Sequence, residues 1–264
     1  MTAQRPLALV TGGAGAIGSA IAAALVRDGW RVALADREAK ALEAVAQKLG
    51  AINAPYHEAL DVCDEESVRS FVSRVADDNR GLQGLATAAG GGPAFGPRAL
   101  FWETGLDDWR LNVETHLVSV MVTCHAALPH LIKAGDGVIL NLASGAGLRG
   151  GPPMSRQKYG EIYSLAKAGL IAFTQSIALE FAPRGVRANC IAPGRAENSR
   201  RPVADLTRMA VDEERREPGS SRMSPLGRFG RADDMGEAAA FLMSTRAGYI
   251  TGSCVDVSGG VRLH

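Results

Sequence analysis

The stretch LALVTGGAGAIGSAIAAALVRDGWRVALAD, residues 7–36, decides how the rest of the chain reads. It opens on an apolar run at Leu7–Thr11 and turns through Gly12, Gly13, Gly15 and Gly18. A helical pattern over Ile17–Asp28 follows, and a second apolar run, Arg31–Asp36, closes it. No residue from Leu7 to Val26 is charged, a length that could span a bilayer. The glycine cluster would weaken a membrane helix. A buried strand, a tight turn and a buried helix account for the same residues.

A glycine-rich turn between a first strand and its helix lets backbone N–H groups approach a pyrophosphate at the positive end of that helix. Gly12, Ala16, Ile17 and Gly18 are the candidate residues for that contact. Asp36 ends the second strand, where a carboxylate can accept hydrogen bonds from adenosine ribose hydroxyls and repel the extra phosphate of NADP. Asp36 also reads as a helix N-cap, and the neighbouring Arg37 could tolerate that phosphate. NAD is therefore the expected cofactor, with NADP second.

Outward from this stretch, apolar runs keep alternating with helical patterns. Helices are expected at Ala39–Leu49, Glu65–Ala76, Asp107–Ala134, Tyr159–Phe181 and Ala232–Met243. Strands are expected near His57–Asp61 and at Leu82–Ala88, Gly137–Ala143, Arg187–Ile191 and Cys254–Val257. Such alternation gives a parallel sheet covered on both faces. The expected class is α/β, a Rossmann-type doubly wound parallel sheet in three layers, with residues 1–264 as a single domain. Two polar or Gly/Pro-rich stretches, about 145–158 and 195–224, break the rhythm and read as binding loops.

Composition narrows the function classes. The 264 residues are 46% hydrophobic with a net charge of +1 and no basic block. Neither nucleic acid nor a membrane is the expected partner. Cys63, Cys124, Cys190 and Cys254 are far apart in sequence and form no CxxC pair, which suits reduced thiols in a cytoplasmic protein. His116, His125 and His130 lack the i, i+4 spacing of a metal pair and read as ordinary helix residues. No metal site is expected.

The chemistry is concentrated in YSLAK, Tyr163 to Lys167. Residues four apart share a helical face. A phenol has a reference pKa near ~10, and an adjacent ammonium together with a positive nicotinamide ring would favour its ionised form. The preceding strand runs out through NLAS, placing Ser144 at a C-terminal strand edge, where open parallel sheets hold ligands. Asn112 lies in WRLNVETHL, an apolar setting in which an amide needs a partner.

Together these residues resemble the short-chain dehydrogenase/reductase family across essentially the whole chain. The resemblance rests on TGGAGAIG, Asp36, Asp61-Val62, TAAG (Thr87–Gly90), Asn112, Ser144, Tyr163 with Lys167, Pro193-Gly194 and the tail SPLGRFGRADDM…YITGSCVDVSGG. It implies that Tyr163 is the general acid/base and takes the alcohol proton as hydride passes to the nicotinamide. It also implies that Ser144 steadies the substrate oxygen, that Lys167 lowers the Tyr163 pKa and binds ribose, and that Asn112 holds a relay water. Asp61 and Val62 would flank the adenine, Ala89 and Gly90 its ribose, and Pro193 and Gly194 the nicotinamide. A homotetramer is implied as well.

Several departures stand out. Ala16 replaces a usual glycine, and Ala88 a usual asparagine that ties strands together. Asn198 stands near the place of a usual threonine. Tyr159 rivals Tyr163 by position but has no lysine four residues on. An enoyl reductase does not fit, because that branch spaces its tyrosine and lysine further apart.

The expected substrate is a small secondary alcohol or ketone. Arg149, Arg156, Lys158, Arg195, Arg200 and Arg201 could recognise an anionic one or form a solvated surface. Two alternatives remain: an NADPH-dependent 3-oxoacyl-thioester reductase, and a non-catalytic dinucleotide-sensing regulator.

Overall fold

The computed structural model describes residues 5–78, 81–90, 100–149, 160–196 and 224–261. Seven strands form one sheet: β1 (Leu7–Thr11), β2 (Arg31–Asp36), β3 (Tyr56–Ala59), β4 (Gly84–Thr87), β5 (Val138–Leu142), β6 (Arg187–Pro193) and β7 (Cys254–Val257). All pairs are parallel, in the order β3-β2-β1-β4-β5-β6-β7. The order reverses between β1 and β4, and the crevice there is where such sheets bind ligands.

Helices cover both faces: α1 (Ala16–Arg27), α2 (Ala39–Leu49), α3 (Glu65–Asp78), α4 (Leu106–Val113), α5 (Ser119–Ala134), α6 (Gly145–Leu148), α7 (Gly160–Phe181) and α8 (Ala232–Met243). Side chains alternate across a strand. Leu7 and Leu9 therefore join Phe71, Val75, Leu131, Leu170 and Ile177 beneath α3, α5 and α7. Ala8 and Val10 join Ile21, Leu25, Leu42, Met235 and Leu242 beneath α1, α2 and α8. These two apolar layers give the expected doubly wound architecture. On the second face α1 and α8 pack closely, since a side chain begun at Gly236 would lie 2.7 Å from the Ala20 carbonyl oxygen.

The long helix expected over Asp107–Ala134 is not continuous. A π-helical turn, Glu114–Val118, separates α4 from α5. Hydroxyls return to carbonyls on its far side, Ser119 to Thr115 and Thr123 to Ser119, each at 2.8 Å, a pattern that loosens regular helix. The stretch Leu106–Ala134 and the stretch Gly160–Arg184 are long and apolar enough to cross a membrane by length and composition. Here each lays part of its apolar surface on the sheet.

Smaller differences have local causes. β6 runs two residues past expectation because Ala192 and Pro193 pair with Asp256 and Val257. Residues 145–148, expected as loop, form the short helix α6, capped by the Ser144 hydroxyl. Cys190 and Cys254, remote in sequence, face each other across β6 and β7. All four thiols are unlinked.

Candidate active site

The glycine turn is built for close approach. Gly12 has φ +68°, and a side chain there would lie 2.6 Å from the backbone of Ala88 and Ala89. At Gly18 it would lie 2.0 Å from the Gly12 carbonyl oxygen. Only glycine lets α1 start so near the ends of β1 and β4. The N-cap of α1 is Gly15, with no side chain to cap the first turn. The early N–H groups of a helix, here including Ala16, Ile17 and Gly18, have no intrahelical acceptor and suit an anion.

Asp36 stands at the rim of this turn. Its Oδ2 accepts from the Ala14 N–H at 3.0 Å and its Oδ1 from the Glu38 N–H at 3.1 Å. Arg37 is exposed and lies 3.7 Å from Glu38. Asp61, exposed after β3, caps its own turn by accepting from the Cys63 N–H at 2.9 Å, while Val62 packs against the core. Beyond β4, the Ala88 N–H donates to the Thr11 carbonyl at 3.1 Å and the Ala89 N–H to the Thr11 hydroxyl at 3.4 Å. These bonds run from backbone N–H groups to Thr11; the Ala88 methyl itself offers no hydrogen bond. Gly90 is exposed at the end of the turn.

On the other side of the crevice, the Gly194 N–H donates to the Val257 carbonyl at 3.1 Å. A side chain at Gly194 would lie 2.8 Å from Ser258, so bare backbone lines the chain after Pro193. These residues fit a dinucleotide laid across the strand ends.

Ser144 just after β5 and Tyr163 and Lys167 on α7 come to the same end of the sheet, with Asn112 on α4, which packs against α7. Ser144 follows β5, and its oxygen accepts from the Ala146 N–H at 3.1 Å, leaving its own O–H to donate. α6 then passes close over α7, where a side chain at Gly147 would lie 2.6 Å from the Lys167 backbone. Tyr163 is partly exposed. Lys167, one turn on, is 4% exposed and donates from Nζ to the Leu142 carbonyl at 2.7 Å. Its Nζ lies 6.0 Å from the Tyr163 ring centre. Burial pulls the Lys167 pKa down to about 8. Asn112 is fully buried; its Nδ2 donates to the Asp108 carbonyl at 3.2 Å, and its Oδ1 has no partner among the described residues.

Two contributors were not singled out from the sequence. His116, taken for an ordinary helix residue, lies in the π turn and meets the Tyr163 ring edge-on at 4.9 Å. Asn141 of β5 is fully buried beneath the site. It accepts from the Thr87 hydroxyl at 2.7 Å and donates to the Thr174 hydroxyl at 2.9 Å. A polar residue inside the apolar run VILNL was the available signal. Tyr159, Arg156, Lys158, Asn198, Arg200 and Arg201 lie outside the described residues. Among the described loop arginines, Arg149 is exposed and Arg195 partly so.

A family model described as enoyl-(acyl carrier protein) reductase matches residues 12–262. The 4-formylbenzenesulfonate dehydrogenase TsaC1/TsaC2 of Comamonas testosteroni is 37% identical over 98% of this chain and 99% of its own. The chain belongs to the short-chain dehydrogenase/reductase family. The 3-oxoacyl-[acyl-carrier-protein] reductase FabG of Haemophilus influenzae is 33% identical over 98% of this chain and 99% of its own. A solved NADPH-bound short-chain oxidoreductase of Pseudomonas aeruginosa, described as having an atypical catalytic centre, superimposes with a TM-score of 0.83. It is 31% identical and covers 98% of this chain and 97% of its own. This short-chain dehydrogenase/reductase is thus an NAD(P)-dependent oxidoreductase acting on CH–OH or carbonyl groups. The enoyl wording describes the family model. In this chain Tyr163 and Lys167 stand one turn apart, and the two full-length relatives carry dehydrogenase and 3-oxoacyl reductase names.

Proposed function

We propose that this enzyme transfers hydride between NAD and a small secondary alcohol or ketone, with Tyr163 as general acid/base. The observation that carries the reading is the buried Lys167 ammonium, fixed to the end of β5 one turn from Tyr163. A nicotinamide bound at the strand ends supplies the hydride acceptor or donor. Tyr163 takes the alcohol proton in oxidation and returns it in reduction. The Ser144 O–H, its oxygen already held by the Ala146 N–H, donates to the substrate oxygen. Lys167 keeps two N–H donors beyond its bond to Leu142, enough to favour the phenolate and hold a ribose hydroxyl. The Oδ1 of Asn112 is an acceptor for a water that passes protons on from Lys167.

NAD is proposed over NADP because the Asp36 carboxylate sits at the end of β2, hydrogen-bonded to the turn that begins α1. A negative charge fixed there disfavours a 2′-phosphate. The FabG relative favours the runner-up, an NADPH-dependent 3-oxoacyl-thioester reductase. An anionic substrate is favoured by the sulfonate in the name of the Comamonas relative. A homotetramer is supported by Leu111, Met121 and Leu165, which leave apolar surface exposed on α4, α5 and α7.

The deciding experiment assays secondary alcohols, ketones and 3-oxoacyl thioesters with both cofactors, beside Tyr163→Phe. The variant should bind NADH normally and lose turnover by about 10³-fold or more. Near-normal turnover would remove Tyr163 from the role, and a strong NADPH preference with thioesters would favour the runner-up.

A further inference from the structure

His116 is 1% exposed, in the π turn between α4 and α5, and neither ring nitrogen has a hydrogen-bond partner among the described residues. On one side its ring meets the Tyr163 ring edge-on, with centres 4.9 Å apart and planes at 89°. On another, a side chain begun at Gly90 would lie 3.4 Å from its Nδ1 and 3.7 Å from its Cε1. The imidazole therefore fills the space between the turn after β4 and the ring of the acid/base. Burial, helped by the charge on Lys167, pushes its pKa down to about 3, so the ring is neutral at working pH. An edge-on contact between flat rings fixes their relative orientation as well as their separation.

We propose that His116 is a positioning residue, a wedge that fixes the plane of the Tyr163 ring against the Gly90 turn. This rests on the reading of Tyr163 as the acid/base. One side chain then holds both the phenol and a segment expected to carry the dinucleotide, and its ring shape does the holding.

The test compares His116→Ala, His116→Phe and Tyr163→Phe by melting temperature, NADH affinity from fluorescence titration, and kcat and KM on a substrate that the native enzyme turns over. In His116→Ala, kcat should fall about ten- to a hundredfold, since small misplacements of a catalytic group cost that much. Substrate KM should change little and NADH affinity should weaken. His116→Phe should restore both kcat and NADH affinity. His116→Val takes the place of the alanine variant should that one not fold. Unchanged kcat and NADH affinity in the truncated variant overturn the proposal, as does a phenylalanine variant no better than alanine. An inactive Tyr163→Phe beside a fully active His116→Ala overturns this inference alone. An active Tyr163→Phe overturns the acid/base reading and this inference with it.

Discussion

The Lys167 ammonium donates to the Leu142 carbonyl at 2.7 Å, tying the middle of α7 to the last residue of β5. The bond sets where α7 lies along the sheet and where Tyr163, one turn earlier, comes out at the strand ends. It also keeps a charge in a dry place, and that has a measurable cost.

Burial lowers the Lys167 pKa to about 8, against about 10.4 in an unfolded chain. Between these values the unfolded chain binds more protons, so stability from this residue rises with pH. The penalty is fully present below about pH 8 and relieved by about pH 10.5, a change of ~3 kcal/mol. Denaturant unfolding of the native chain and Lys167→Met across this range should show the native chain gaining on the variant. A constant difference between them would contradict it.

At Asp36, the carboxylate accepts two backbone N–H bonds, from Ala14 and Glu38. Asp36→Ala should narrow the preference for NAD over NADP by about tenfold, the worth of a charge-assisted hydrogen bond. Steady-state kcat/KM with the two cofactors measures this, and an unchanged ratio would take Asp36 out of the ribose site.

Under the site, Asn141 joins the Thr87 and Thr174 hydroxyls and receives the Cys124 thiol at 3.7 Å. Asn141→Leu leaves both hydroxyls without their amide partner, and stability should fall by about 2–4 kcal/mol. The denaturant midpoint should shift down while NADH affinity of the folded protein is kept.

The sheet was legible because its inner strands are buried on both faces, so LALVT and RVALAD read as continuous apolar runs between helical patterns. The glycine turn was legible because close approach leaves no substitute for Gly12 or Gly18. Tyr163 and Lys167 were legible because one helical turn separates them. What escaped was set by contacts remote in sequence. The π turn, ETHLV, carries apolar residues like the helix on either side, so nothing in the sequence pattern marks it off. His116 gains its setting only once α7 and the β4 turn close on it. Asn141 looked like a strand residue until Thr87 and Thr174 arrived on either side.

The π turn at Glu114–Val118 has one more consequence. A regular helix advances about 100° per residue and a π turn advances less, so rewinding these same residues as regular helix would swing Asn112 and the rest of α4 about the axis relative to α5. The chain forgoes the tighter coil and keeps the slack where the Asn112 carboxamide and the His116 imidazole are both buried.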